Sequence, residues 1–252
     1  QSAWAAGNTA IRLNPDLASA HLALGMIRRS KWDWEGAGLA FKTGVDLNPS
    51  DYVGLIEYAN FLIAAKRFGE AADVARKAVE IDPTSPVPLV ELGWALQLLG
   101  EIDSAIAAYQ QALDLEPDRW QLHAAFAMLY LEQEQYDLAA RHIEQLERTL
   151  EGEAWSSYGL LGLFYGLIGR TDDAMAMLEY LEQQAQSQFV PATAIAYIHL
   201  VLGHREDALA SLELAYEQRD LALVWLNHFW IYDELYDEPR FQDLVAKVNL
   251  PK

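Results

Sequence analysis

Cysteine is absent from the 252-residue chain, which excludes disulfide bonds, thiolate zinc sites and cysteine nucleophiles. Basic residues are scarce: 18 lysines and arginines stand against 37 acidic residues, giving a formal charge of −19. Because nucleic-acid binding depends on a basic surface that displaces counterions, this composition argues against direct binding to nucleic acid. Apolar residues make up 52% of the chain, enough for it to bury a core.

The chain also lacks a long hydrophobic run. Its most apolar stretch, residues 158–168, has 11 residues, whereas a transmembrane helix needs about 20. The first residues show no signal-peptide pattern and no initiator methionine. We therefore expect no membrane insertion of this chain, and we expect it to be a piece of a longer protein that extends N-terminally.

Motifs that carry chemistry are missing too. The sequence contains no glycine-rich phosphate loop, no G-x-S-x-G and no H-E-x-x-H. None of its six histidines pairs at the i,i+4 spacing of a helical metal site, and His199 and His204 stand five residues apart, with His204 in a predicted turn. The sequence thus predicts no catalytic residue, no cofactor and no metal site, and the chain is not expected to be an enzyme.

The chain does contain an internal repeat of 34 residues. Its blocks begin at Ala18, Tyr52, Pro86, Trp120, Trp155 and Phe189, with one step of 35 between the fourth and the fifth. The eighth place of each block holds a small residue: Gly25, Ala59, Gly93, Ala127, Gly162 and Ala196. The twentieth place is alanine throughout: Ala37, Ala71, Ala105, Ala139, Ala174 and Ala208. Because small residues in register let two helix backbones approach closely, each block predicts a helix hairpin.

Glycine, proline and acidic residues mark the helix ends. Glycine can adopt the left-handed conformation at the end of a helix without steric strain, because it has no Cβ atom. Three blocks have a glycine between their first and second helices: Gly100, Gly169 and Gly203. Proline, which cannot continue a helix, follows three second helices at Pro49, Pro83 and Pro117. The pairs Asp172-Asp173 and Glu206-Asp207 are interpreted as helix starts that complement the macrodipole.

This pattern resembles the tetratricopeptide repeat family over roughly residues 3–220. The resemblance implies an all-α fold, an α-solenoid in which helix hairpins form a right-handed superhelix. Residues 1–17 are then the second helix of a truncated repeat, 18–153 four repeats, 154–220 two further repeats and 221–252 a C-terminal cap. In the cap, residues 223–232 predict an aromatic helix and residues 240–248 a capping helix. The extra residue at 150–153 predicts a changed rotation between the fourth and fifth repeats.

In this family the first helices of successive repeats line a groove that binds a partner. The groove residues carried over to this chain are Leu22, Met26, Ile56, Asn60, Ile63, Val90, Trp94, Leu98, Met128, Leu131, Gly159, Leu163, Gly166 and Tyr197. The family's best-known groove clamps a carboxylate with Lys, Asn and Arg, but here only Asn60 stands at such a place. The resemblance therefore implies that an apolar peptide, helix or sister domain binds, centred on Trp94, unless Trp94 packs against a neighbouring repeat.

Two short motifs give a narrower resemblance. Residues 31–37 (KWDWEGA) and 237–244 (DEPRFQDL) are similar to the C-terminal repeats of bacterial membrane-anchored winged-helix regulators, adenylate cyclases and kinases. This implies an alternative function, a small-ligand sensor gating an N-terminal effector domain; a purely structural spacer is a third possible function.

The sequence leaves two compartments possible, the cytoplasm or the periplasm. Trp32 and Trp34 are either core residues or an exposed recognition pair, and the uncovered first helix allows a homodimer.

Overall fold

The computed structural model of the chain describes residues 2–150 and 154–250, and within these ranges it is helical without a strand. Its α-helices are α1 (Ser2–Leu13), α2 (Ala18–Arg29), α3 (Trp34–Leu47), α4 (Tyr52–Ala64), α5 (Phe68–Ile81), α6 (Pro86–Leu98), α7 (Ile102–Leu115), α8 (Trp120–Glu132), α9 (Tyr136–Thr149), α10 (Trp155–Leu167), α11 (Thr171–Ala185), α12 (Ala192–Val201), α13 (Arg205–Gln218) and α14 (Pro239–Val248). The expected all-α fold is confirmed. Among the described helices, none has the length and apolar character needed to span a membrane.

The chain forms two compact units. The first comprises residues 2–117 together with Leu250, and the second residues 118–249. In the first unit α1 packs on α2, and the hairpins are α2/α3, α4/α5 and α6/α7. In the second they are α8/α9, α10/α11 and α12/α13, and α14 packs on α13. The predicted register change at residues 150–153 falls on a segment of which residues 151–153 lie outside the described ranges.

The repeated small residues lie where the helices approach most closely. All six alanines at the twentieth place are 0% exposed. A Cβ added to Gly93 would lie 2.3 Å from the ring of Tyr109, and one added to Gly25 would lie 2.8 Å from the ring of Phe41. Tyr109 is itself held, because its hydroxyl donates a buried hydrogen bond of 3.0 Å to Gln97 Oε1. The small residues therefore create the space that the large aromatic residue of the partner helix fills.

Each hairpin turns through a residue in the left-handed conformation. The glycines predicted for this role have positive φ: 80° at Gly100, 82° at Gly169 and 75° at Gly203. The same place is occupied by larger residues in the other hairpins, with φ of 62° at Trp32, 57° at Lys66 and 56° at Glu134. The short connection between the helices thus imposes the left-handed conformation even on residues with a Cβ atom, for which this conformation costs about 1 kcal/mol.

The two tryptophans of the KWDWEGA motif are core residues. Trp32 is 7% exposed and Trp34 6%. Their rings stack with centroids 5.9 Å apart, and the Trp34 ring lies 6.4 Å from that of Phe61 on α4. The motif therefore packs the first hairpin against the next one, and the alternative of an exposed recognition pair does not hold.

The C-terminal cap differs from its prediction in one segment. The single aromatic helix expected over residues 223–232 is wrong, because two 3₁₀ helices, Leu221–Asn227 and Trp230–Leu235, meet at an extended Phe229. This break lets the Phe229 ring contact Tyr197 edge-on at 5.9 Å and Tyr232 at 6.2 Å. The expected capping helix is confirmed as α14, which buries Phe241 on its inner side.

Two glycine substitutions test the packing role of the eighth place. Gly93→Ala should lower the free energy of unfolding by about 1–3 kcal/mol, because the new methyl group overlaps the immobilised Tyr109 ring. The control Gly69→Ala, also helical but with nothing within 4 Å of the added Cβ, should raise it by about 0.5–1 kcal/mol. Urea unfolding measures both, and equal effects of the two substitutions would contradict the packing role.

Candidate functional site

The first helices of the first unit, α2, α4 and α6, lie side by side. Four of the eight groove residues predicted on them are buried: Leu22, Ile56, Ile63 and Val90. The remaining four keep surface, since Met26 is 41% exposed and the others are half-buried: Asn60, Trp94 and Leu98. These four accessible residues define what we call the inner face of the first unit.

Burial of the other four follows from the packing between helices. Leu22, for example, lies against two glycines: a Cβ added to Gly44 or to Gly54 would come within 2.6 Å of its methyl groups. A residue in such a position fixes the spacing of α2, α3 and α4 and offers no surface to a partner. These four buried residues therefore support the inner face through packing between the helices, and they do not contact a partner themselves.

A polar network crosses the same three helices. Arg29 of α2 donates from Nη2 to Glu57 Oε2 of α4 at 3.0 Å, and Asn60 of α4 donates to the Glu91 carboxylate of α6. The sequence analysis missed this network. Arg29 stands at the twelfth place of its block, one of the places assigned to the groove, and Glu57 and Glu91 both stand at the sixth. The network could have been predicted from two features of the sequence. Two consecutive blocks have an acidic residue at the same place, and the first helix of the preceding block has an arginine.

Glu91 is the group in this network whose ionisation is most strongly altered. Desolvation raises the pKa of its carboxyl group to about 7, and the negative charge of Glu57 adds to this increase. The hydrogen bond from Asn60 and the charge of Arg29 act in the opposite direction. Near neutral pH Glu91 is therefore partly protonated, so its carboxyl group can donate as well as accept a hydrogen bond within the network.

The groove residues predicted in the second unit are mostly buried. Five are closed off from solvent: Met128, Leu131, Gly159, Leu163 and Tyr197. The two glycines of the predicted groove lie against α12, since a Cβ added to Gly159 would lie 2.5 Å from Ala194 and one added to Gly166 would lie 2.3 Å from Val201. Both glycines serve the close approach of α10 to α12.

The predicted cluster around Trp94 is divided between the units. Trp94 and Leu98 belong to the first unit, whereas Met128 and Leu131 belong to the second. Within its own unit, Trp94 neighbours the accessible Leu98 one helical turn further along α6.

The second unit contains a cavity of about 390 Å³ between α10, α12 and the second 3₁₀ helix. Its walls are formed by Leu163, Leu167, Leu200, Val201, Trp230, Ile231, Asp233 and Glu234. This volume is within the range of small-molecule sites, which are largely apolar with a few polar groups. Of these residues only Leu163 was predicted in the groove, and four of the others belong to the 3₁₀ segment, which lies outside the repeat.

Two histidine pairs lie in the second unit. His123 and His142 bring their Nδ1 atoms to 3.2 Å, and burial lowers the pKa of His142 to about 4. His199 and His204 bring theirs to 3.4 Å, and burial lowers the pKa of His199. Ligand atoms of His199, His204 and Asp207 all lie within 4.8 Å of one another. The sequence analysis dismissed this pair because five residues separate its members, but the turn between α12 and α13 brings them together.

Glu91→Gln tests the ionisation of the buried carboxyl group. Its pKa is about 7 in the folded chain and near the ordinary value of 4.5 in the unfolded chain, so the folded state binds the extra proton and stability falls as pH rises between these values. Relative to the parent chain, the variant should gain about 1–3 kcal/mol in unfolding free energy between pH 5 and pH 8. Urea unfolding at both pH values measures this gain. Glu80→Gln, an exposed change on α5, is the control, and parallel pH profiles of parent and Glu91→Gln chains would refute the assignment.

Comparisons with known proteins agree with this architecture. A sequence profile of the tetratricopeptide repeat matches residues 22–86 and 124–188, and a second one matches residues 87–119. The protein CTR9 homolog of Arabidopsis thaliana is 25% identical over 126 residues, which are 50% of this chain and 12% of that protein. The chain therefore spans about an eighth of this curated relative.

Solved structures show the same fold. A chain in the crystal structure of the APC/C hetero-tetramer Cut9–Hcn1 has a TM-score of 0.63 and 17% identity, covering 98% of this chain and 46% of its own length. PilW, described as a type IV pilus biogenesis factor, has a TM-score of 0.56 and 16% identity, covering 90% and 98%. Tetratricopeptide repeats are generally non-catalytic scaffolds for protein–protein interaction. Since one profile matches more than half of its residues, the chain belongs to the tetratricopeptide repeat family.

Proposed function

We propose that the chain is a non-catalytic interaction scaffold and that the inner face of its first unit binds an apolar segment of a partner protein. The observation that carries this proposal is the exposure pattern of α2, α4 and α6. Most apolar residues of these helices are buried, yet Met26, Trp94 and Leu98 keep accessible surface beside the network of Arg29 and Glu91. An apolar anchor next to polar groups is the composition of an interaction site.

The parts of this face have different roles in the proposal. Trp94 has the largest side chain of this face and acts as the anchor, and Met26 adapts its flexible side chain to the bound segment. Asn60, the polar residue among the four of this face, offers hydrogen bonds to the partner's main chain, which fixes the register of the bound segment. The net charge of −19 steers partners with basic flanks, so their association slows as salt rises while the lifetime of the complex changes less.

Trp94→Ala tests this binding role with peptides selected from a displayed library. Because truncation of an aromatic anchor costs at least about 2 kcal/mol, the dissociation constant of a selected peptide should rise about thirtyfold or more. Isothermal titration calorimetry measures it, and melting temperatures check that the variant is folded. The control Leu39→Ala removes a side chain that is 68% exposed on α3, away from the inner face, and should leave binding unchanged. Equal affinity of the parent and Trp94→Ala chains would refute the role of the inner face.

A small-ligand sensor is the second candidate function, and the cavity of about 390 Å³ in the second unit favours it. Its walls combine apolar side chains with the two carboxylates of Asp233 and Glu234, and this combination suits an amphipathic cation. Gating of an N-terminal effector domain and membership of a bacterial regulator stay predictions. So does a homodimer through α1, on which Leu13 is 78% exposed.

Thermal denaturation with a panel of amphipathic amines tests the sensor. A fitting amine should raise the melting temperature in a saturable way, because it binds the folded chain. The double variant Asp233→Asn/Glu234→Gln should lose the shift, and Asp237→Asn, an exposed acidic residue outside the cavity lining, should keep it. No saturable shift, or an equal shift in the double variant, would remove this candidate.

A further inference from the structure

Three potential metal ligands meet at the turn between α12 and α13. His199 lies in the last turn of α12, His204 is the N-cap of α13, and Asp207 lies in the first turn of α13. We propose that His199 Nδ1, His204 Nδ1 and the Asp207 carboxylate bind a divalent transition-metal ion, with zinc as the preferred ion. Two imidazoles and a carboxylate are among the ligands that zinc takes in proteins.

The distances match zinc coordination. The two Nδ1 atoms are 3.4 Å apart, and the ligand atoms of all three residues lie within 4.8 Å of one another. With Zn–N bonds of about 2.0–2.1 Å, the edge of a tetrahedral site is about 3.4 Å long. An ion can therefore bind between the two imidazoles with a small rotation of the exposed Asp207 side chain, and a water molecule completes the tetrahedron.

A fourth side chain lies beside the buried ligand. His199 Nε2 lies 3.6 Å from a carboxylate oxygen of Glu182 on α11. This carboxylate favours the tautomer with its proton on Nε2, which leaves the lone pair of Nδ1 directed at His204 and at the ion. A carboxylate behind a metal-binding histidine is the usual second layer of such sites.

The neighbouring charges do not compete for the ion. Glu206, adjacent to Asp207, accepts a hydrogen bond of 2.9 Å from Arg240 of α14. Arg205 forms an ion pair of 3.1 Å with Glu238 and thus neutralises another carboxylate rather than Asp207. The carboxylates of Asp207 and Glu182 both act on His199, and their negative charge favours a cation.

The other histidine pair, His123 and His142, packs against aromatic rings, and within the described ranges it has no third ligand beside it. The His142 ring stacks on Phe126 with centroids 4.5 Å apart and lies 5.7 Å from the ring of Tyr130. In the described part of the chain, no third ligand joins His123 and His142 to form a group that could hold a metal ion. Bound zinc would instead join α12 to α13 across the left-handed turn at Gly203, and so stabilise that hairpin.

Zinc titration followed by isothermal titration calorimetry tests the site. The parent chain should bind one zinc ion through it, and His204→Gln and Asp207→Asn should each lower the affinity by at least about tenfold. Glu182→Gln should lower it by about tenfold through the orientation of His199. His204 and Asp207 are exposed, so the melting temperatures of the His204→Gln and Asp207→Asn variants without metal should stay close to that of the parent chain.

Matched measurements separate this site from non-specific binding. Glu206→Gln, an acidic neighbour paired with Arg240, should leave the zinc affinity unchanged. Cobalt(II) should give the visible absorption of a tetrahedral site in the parent chain and lose it in Asp207→Asn. If the parent chain binds no zinc at about 100 μM, or if Asp207→Asn binds it as tightly as the parent, the proposal is wrong.

Discussion

Close contact between paired helix backbones at the eighth and twentieth places of each repeat is the constraint on which the rest depends. At Gly25 and Gly93 even a methyl group would collide with the aromatic ring that fills the hairpin, that of Phe41 or of Tyr109. The contact fixes which face of each helix is inside. It therefore also fixes which residues of α2, α4 and α6 remain accessible on the other side.

This constraint links two features that look unrelated in the sequence. Tightly paired helices need a short connection, and the connection takes a left-handed residue whether or not glycine is present, as at Lys66 and Glu134. The same short connection between α12 and α13 brings His199 to within 3.4 Å of His204. A turn that serves packing thus also assembles a set of potential metal ligands.

Polar groups interrupt the otherwise apolar helix packing at one further location. Arg29, Glu57, Asn60 and Glu91 connect three successive first helices of the first unit, and desolvation there raises the pKa of Glu91 to about 7. Burial of polar groups costs free energy unless they are paired, and this network pairs each of them across helices. It gives the inner face a hydrogen-bonding character that an apolar groove alone would lack.

The sequence by itself determined the hairpins, their turns and their packing residues, because these depend on small residues and glycines at fixed periodic places. It also placed the capping helix α14, which lies outside the repeat, because apolar residues at helical spacing mark its buried side. Only the tertiary structure decided which predicted groove residues are accessible, and it buried Ile63 while leaving Met26 exposed. It also determined that the helical segment is interrupted at Phe229 and that His199 lies close to Asp207. These features depend on distances between side chains of different helices, and a periodic pattern along one chain does not contain those distances.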